Sequence, residues 1–362
     1  MKIFVTGTRG IPNILGGVET HCEHLFPLIA DNNTFNITLI RRSSYIQDSN
    51  KIQQYKGITL VDIFSPRKKS IEAIVHTCLA ITYARIKKAD VVHIHAIGPA
   101  ILTPFARLLG LKVVFTHHGA DYNRQKWGKM AKWILKTGEK WGVKYANHCI
   151  VISQTIYNDI QKFNPKRVSL IPNGVTIPEK TLQTHYIESL GLQPQKYMIV
   201  VGRFVPEKGF HDMLQAYISL QTDYKLVFVG DADHESEYSK HIKIDAKKHG
   251  VVLTGFIKGE KLHQIFSHAG IFVMPSYHEG LPIALLEAMS YNLPVVVSNI
   301  SANTEIELPK SSFFEVGNIH DLSEKISQTL SDKQQIDYSH ILTRKYNWHN
   351  IARETIQVYS QL

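Results

Sequence analysis

IFVMPSYHEGLPIALLEAMSYNLPVVV, residues 271–297, decides the fold class. Two short, continuous apolar runs flank a segment in which Ala284, Leu285, Ala288 and Met289 recur at helical spacing. Continuous rather than alternating apolar runs suit strands covered on both faces, so the stretch reads as strand, helix, strand of a parallel sheet. The same alternation recurs on either side. KIFVTG, ITLIRR, ADVVHIH, KVVFTHH and HCIVIS are candidate strands in the first half, and MIVVGR, KLVFVGD, VVLTGF, IFVMPS and PVVVSN in the second. No set of eight evenly spaced strands suggests a barrel, and the pattern predicts an α/β protein of two open, doubly wound units.

A chain of 362 residues has room for two such cores. The break falls after IPNGV, giving a first domain over 1–175. TIPEKTLQTHYIESLGLQPQ loses strand character, so 176–196 reads as a linker, followed by a second domain over 197–345. The tail, 346–362, carries Ile351, Ile356 and Tyr359 at helical spacing and is expected to lie back on the first domain.

Bulk composition narrows the setting. Cys22, Cys78 and Cys149 are odd in number and lack CxxC spacing, so they read as buried thiols of a reducing compartment. MKIFVTGTRG has no signal-peptide pattern, and no run of about eighteen apolar residues occurs, so the cytoplasm is the expected address. Residues 1–180 hold 25 Lys and Arg against 11 Asp and Glu, and the remainder 16 against 20. A basic half joined to a mildly acidic one argues for a polyanionic neighbour on one side: nucleic acid, anionic lipid or phosphorylated substrate.

Three loops bear on such a ligand. In GTRGIPNILGGVET, Val18, Cys22, Leu25 and Ile29 place a helix start at Gly16-Gly17. That glycine pair either makes a turn needing positive φ or lets amides meet an anion at the helix mouth. Gly7-x-x-Gly10 is not the dinucleotide fingerprint, and Arg41-Arg42 stands where an acid would hold ribose, which weakens an NAD(P) oxidoreductase reading. In EGLP, Pro282 fits a first helical turn and leaves the amides of Gly280 and Leu281 outward. In GRFVPEKG, Arg203 and Lys208 are two cations in a loop shaped by Pro206 and Gly209. Together they point at one pyrophosphate. Glu279 and Glu287 then bracket a helix start. Eight helical residues rise roughly 12 Å, more than the about 5–10 Å between the carboxylates of a glycosidase. Such a pair suits the two ends of an elongated ligand, such as a sugar joined to a nucleoside through pyrophosphate.

With GTRGIPNILGGVET, FTHHGAD, IPNGV, GRFVPEKG, VLTGFI and HEGLPIALLEAM in order, the chain resembles the retaining glycosyltransferases of family 4, almost end to end. The opening is similar to a branch with bacterial rhamnosyltransferases and other surface-polysaccharide enzymes. The resemblance implies the GT-B fold, two Rossmann-like domains facing a central cleft. It implies that Arg203 and Lys208, with the amides of Gly280 and Leu281, bind the donor diphosphate, with Gly17 approaching it or the acceptor. Glu287 would hold the ribose, the backbone at Ile257 the base, and Glu279 the transferred sugar. His118 would be the active-site histidine, with His117 the competing assignment. Gly16, Arg9, His95, Asp121 and Asn173 are candidate donor or acceptor contacts. The implied activity is metal-independent transfer of a hexosyl or deoxyhexosyl unit, with retention, from a nucleotide sugar (UDP before dTDP or GDP) to a saccharide acceptor. That acceptor is expected to be lipid-linked, in capsule, O-antigen or exopolysaccharide assembly. An epimerase or hydrolase of the same fold is the alternative.

No cofactor or metal is expected. Asp231-x-Asp233 departs from the family's Gly-Asp-Gly-Pro and reads as a solvated pair. His93 and His95 share one strand face; a metal reading requires further ligands and zinc-like closure, and a position in the cleft is expected for them. In KWGKMAKWILKTGEKWGVKY, residues 126–145, Trp127, Met130, Ala131, Ile134, Gly138, Trp141 and Tyr145 form a stripe expected to pack in the core. Lys132, Lys136, Lys140 and Lys144, with Trp133 among them, suit an anionic membrane surface, which points to peripheral docking on the inner leaflet. Nucleic acid is disfavoured because no binding motif accompanies the charge.

Overall fold

The computed structural model describes residues 1–14, 16–32, 34–47, 51–66, 71–123, 128–232, 235–332 and 336–362. The chain forms two compact units. The first is Met1–Gly174 with Tyr346–Leu362, and the second is Val175–Lys345.

The first unit is built on β1 (Lys2–Thr6), β2 (Asn36–Arg42), β3 (Gln54–Tyr55), β4 (Ile58–Ile63), β5 (Val91–His95), β6 (Lys112–His117), β7 (His148–Val151) and β8 (Val168–Leu170). Among the described residues these give one sheet in the order β3-β4-β2-β1-β5-β6-β7-β8, parallel except for the β3–β4 hairpin. The chain winds outward from β1 through β2 to β4, then returns to β5 on the other side. The reversal between β1 and β5 is a topological switch point, where the strand ends open a crevice in folds of this class.

The second unit is built on β9 (Tyr197–Val201), β10 (Lys225–Val229), β11 (Val252–Gly255), β12 (Ile271–Met274), β13 (Val295–Ser298) and β14 (Phe313–Phe314). Its sheet runs β11-β10-β9-β12-β13-β14, all parallel, with the switch point between β9 and β12. The quoted stretch is therefore β12, the helix Ile283–Ser290 and β13.

Burial explains the strand pattern. Ile199, Ile271, Phe272, Val273, Val296 and Val297 are fully enclosed, so neither sheet face tolerates the polar alternation of a half-exposed strand. The tail forms the helix Trp348–Ser360. It places Trp348, Ile351, Ala352, Val358 and Tyr359 in one cluster with Ile3, Leu25, Phe26 and Ile150 of the first unit. Residues 176–196 are not a bare linker: they carry the helix His185–Ser189 and bury Ile187 and Leu192, because this segment has apolar side chains to hide. The three cysteines are free, with Cys22 and Cys149 buried.

The basic helix, Lys129–Tyr145, departs from its expected packing. It buries Leu135, Gly138, Glu139, Gly142 and Val143, whereas Met130, Trp141 and Tyr145 of the expected core stripe are exposed. Two glycines cause the difference. A Cβ at Gly138 would lie 2.0 Å from the Ile97 carbonyl oxygen, and one at Gly142 2.8 Å from the Ala100 Cβ, so the glycine side is the one that fits against 97–100. Trp127 and Lys126 lie outside the described residues. Among the described residues no helix is long and apolar enough to cross a membrane.

Candidate active site

In the second unit the expected residues gather at the switch point. Arg203 and Lys208 follow the C-terminal end of β9, and Glu279, Gly280 and Leu281 follow that of β12. Backbone contacts lace the two loops. The Tyr277 N–H donates to the Glu207 carbonyl at 2.9 Å, and the Tyr277 hydroxyl donates to Asp212 Oδ2 at 2.6 Å. Gly209 has φ +66°, and a Cβ there would meet the Pro275 carbonyl oxygen at 2.0 Å. A glycine at 209 is thus what lets the cationic loop lie on the acidic one. The result is an ion pair, Lys208 Nζ to Glu279 Oε1 at 2.5 Å. Burial pushes the Glu279 carboxyl up, but the Lys208 ammonium and hydrogen bonds from Lys208 and Ser276 outweigh it and hold the group below its usual range. It is an anion within reach of one of the two cations proposed for a diphosphate.

Glu279 lies in the loop, and Glu287 lies just over one turn into the helix Ile283–Ser290. Pro282 takes the N-cap position rather than the first turn, because the backbone enters the helix at Ile283. Around Glu287 burial dominates and pushes the carboxyl up to about 7, while the Lys258 ammonium pulls the other way. Lys258 follows Ile257 in the loop after β11, so the loop assigned to the base and the glutamate assigned to the ribose lie close enough to interact electrostatically. Asp231 is partly exposed, and its Oδ1 bonds Lys243 Nζ at 2.5 Å and accepts from the Ala232 N–H. Asp233 lies outside the described residues.

The two adjacent histidines at the end of β6 differ in their surroundings. His117 ends β6 and has both ring nitrogens engaged: the Gly119 N–H donates to Nδ1 at 3.1 Å, and Nε2 donates to Glu139 Oε1 at 2.9 Å. It is a buried tie between loop and helix. His118 is partly exposed, and its Nε2 lies 2.9 Å from His95 Nδ1. Of the two, His118 has the ring left over for a ligand.

His95, at the end of β5, is fully enclosed and bonds the His118 ring. His93 is closed in by the Tyr359 hydroxyl and Thr116 Oγ1, each at 2.6 Å. Both histidines are therefore enclosed within the first unit, on the central strand beside its switch point. Asn173, a candidate contact, is buried and accepts from His21 Nδ1 at 2.9 Å. His21 was not legible as a site residue, since in sequence it is one more position in the helix Gly17–Ala30. It packs edge-on to His118 with ring centres 4.9 Å apart. His21, His95 and His118 offer donor atoms within 4.8 Å of one another, the one such metal-capable group found among the described residues. Two of those rings already hydrogen bond each other, and burial holds all three imidazoles below the ordinary histidine range.

At the glycine mouth, Gly16 is the N-cap with φ +148°, and a Cβ there would collide with Glu19 Oε2. Glu19 turns back into its own helix start, taking the Thr8 hydroxyl and the Arg9 N–H. A carboxylate thus already answers this helix end, which makes it a poorer diphosphate seat than the second unit's loops. Gly17 keeps an open face, with none of the described residues within 4 Å of where a Cβ would stand. Arg9 stacks over Tyr45 at 5.2 Å, and Asp121 lies in the turn Asp121–Asn123 after the histidine loop.

Residues 15–177 match the family model described as Glycosyltransferase Family 4, and residues 183–347 match Glycosyl transferases group 1. An uncharacterized glycosyltransferase of Methanocaldococcus jannaschii is 25% identical, over 99% of this chain and 98% of its own. The UDP-Gal:alpha-D-GlcNAc-diphosphoundecaprenol alpha-1,3-galactosyltransferase of Escherichia coli is 28% identical, over 83% of this chain and 81% of its own. Among solved structures, sucrose-phosphate synthase from Thermosynechococcus elongatus superimposes with a TM-score of 0.85 at 19% identity, covering 99% and 98% of the two chains. Neither the epimerase or hydrolase alternative nor the oxidoreductase reading is favoured by these likenesses. Two parallel sheets, each with its site loops at a switch point, and a family model matching each unit lead to one assignment: the chain is a glycosyltransferase of the GT-B fold, its first unit matching Glycosyltransferase Family 4 and its second Glycosyl transferases group 1.

Proposed function

We propose that the protein transfers a sugar from a UDP-sugar to a lipid-linked saccharide in bacterial surface-polysaccharide assembly, with retention and without a metal. The observation that carries the reading is the laced pair of loops in the second unit, where Lys208 meets Glu279 beside Arg203 and the start of the helix Ile283–Ser290. A leaving diphosphate gathers negative charge as the glycosidic bond breaks. Fixed cations and peptide N–H groups stabilise that charge without reorganising. The ammonium of Lys208 has three donors, so it holds Glu279 and still reaches a phosphate oxygen. Glu279, kept ionised by Lys208, accepts hydrogen bonds from sugar hydroxyls. The acceptor hydroxyl attacks the face from which the diphosphate departs.

The galactosyltransferase of Escherichia coli is named for a UDP-sugar and a diphosphoundecaprenol-linked acceptor, which supports that donor and acceptor class here. The outward face of the helix Lys129–Tyr145 supports the lipid. Trp133 and Met130 are exposed there, with Lys136, Lys140 and Lys144 around them. Indole and lysine side by side fit the headgroup region of an anionic inner leaflet, reached from the cytoplasm. A thermal-shift panel of nucleoside diphosphates and their sugars tests the donor. UDP and a UDP-sugar are expected to raise the melting temperature, and Lys208→Ala to abolish that response. An unchanged response in Lys208→Ala removes the lysine from the diphosphate site.

A further inference from the structure

The ring of His118 has two nitrogens, and which one carries the proton decides what it offers a substrate. Its Nε2 lies 2.9 Å from His95 Nδ1, so one of these atoms donates and the other accepts. Burial holds both rings well below the ordinary histidine range, with the neighbouring histidine rings adding to the effect, so each carries one proton at neutral pH. Two arrangements remain. Either His95 donates from Nδ1 and keeps a bare Nε2, or His118 donates from Nε2 and His95 carries a proton on Nε2.

The surroundings of His95 Nε2 discriminate between them. That atom is buried and has no hydrogen-bond partner among the described residues. His95 is 0% exposed and is packed among rings: His93 stacks on it at 4.2 Å, Phe26 meets it edge-on at 5.6 Å, and His21 lies 5.7 Å away. His93 has no nitrogen to spare, since Tyr359 and Thr116 take both. A buried N–H with no acceptor is the rarer and costlier orphan in folded proteins; a lone pair among ring faces is more easily left.

We propose that His95 is a positioning residue that fixes the tautomer of His118. His95 keeps its proton on Nδ1 and donates it to His118 Nε2. His118 therefore carries its own proton on Nδ1, the ring nitrogen without a partner among the described residues, and presents an N–H donor rather than a lone pair to the substrate. His21, pinned by Asn173 and set edge-on to His118, keeps the ring from rotating out of that bond. The role of His118 toward the donor sugar rests on the function proposed above. The tautomer does not, because it is a property of the unliganded protein.

Nitrogen-15 correlation spectra of labelled protein near neutral pH test it directly, with the His118 signals identified as those lost in His118→Asn. A pyrrole-type Nδ1 and a pyridine-type Nε2 at His118 are expected. His95→Leu removes the donor and is expected to move His118 toward the opposite tautomer. It should also lower kcat about tenfold or more while the KM for nucleotide sugar stays within about twofold. His95→Asn, whose amide N–H reaches a similar place, is expected to restore most of both. A pyrrole-type Nε2 at His118 in the unaltered protein overturns the proposal, and so does a His118 spectrum unchanged by His95→Leu. If His95→Leu does not fold, the spectrum of the unaltered protein decides alone. A failed tautomer assignment is separable from a failed reading of the site, which the transfer assay of His118→Asn measures.

Discussion

Burial pushes the carboxyl of Glu287 up to about 7, against the pull of Lys258. Ribose hydroxyls donate hydrogen bonds, so they need the ionised form. In its proposed role at the ribose, Glu287 accepts best from hydroxyls when ionised, so its raised pKa makes nucleotide binding costlier at slightly acid pH. Affinity for a UDP-sugar, whose phosphates have no titration near neutrality, is predicted to rise by up to about tenfold per pH unit below 7 and to level off above it. Calorimetry across pH 5.5–8.5 checks this, and Glu287→Gln should flatten the dependence. An identical slope in both proteins would remove Glu287 from the ribose. Residues of this kind were legible because they lie in short motifs where charge, glycine and proline alternate. His21 was not, since its partner Asn173 lies 152 residues away and only folding brings them together.

Among elements, the strands that stood out were the buried continuous ones. β4, ITLVDI, carries an aspartate and half-exposed residues, and β3, β8 and β14 span two or three residues each, too short for a periodic signal. The helix Lys129–Tyr145 shows the reverse failure: an apolar stripe was visible but faced the wrong way. Gly138 and Gly142 add nothing to hydrophobic periodicity, yet their missing side chains set which face lies against the sheet. Trp133 and Trp141 are consequently turned outward among the lysines, at 66% and 39% exposure. Vesicle sedimentation at moderate salt should show binding to anionic bilayers and little to neutral ones. Lys136→Glu with Lys140→Glu and Lys144→Glu should lose most of it, as each lysine near an anionic surface contributes about 1 kcal/mol. Equal binding to both vesicle types, or to neither, would refute membrane docking.

Taken as a whole, the molecule is expected to respond unequally to acid. His21 and His76 are held down to about 4 and His93 to about 3, chiefly by burial, and His95 and His118 are also well below the ordinary range. All five belong to the first unit. A depressed histidine pKa gives stability that is full above about 6.5 and is lost as pH falls toward the folded value. Glu287, in the second unit, has the opposite sign: its raised pKa favours the fold increasingly as pH falls from about 7 to 4.5. Hydrogen exchange at pH 7.5 and 5.5, corrected for intrinsic rates, should show lost protection concentrated in the first unit. Equal loss in both units would contradict the burial of neutral histidines. That two α/β units existed was readable from strand patterning alone, whereas this concentration of buried histidines around β5 and β6 depended on which strands became neighbours.

In the proposed reaction the second unit's two loops neutralise a departing diphosphate. A crystal structure of the protein with a UDP-sugar tests it most directly. Phosphate oxygens are expected within hydrogen-bonding distance of Arg203, Lys208 and the N–H groups at 280–281, with Glu279 against the sugar and Glu287 against the ribose. Phosphates bound elsewhere, with Arg203 and Lys208 turned away from them, would contradict it.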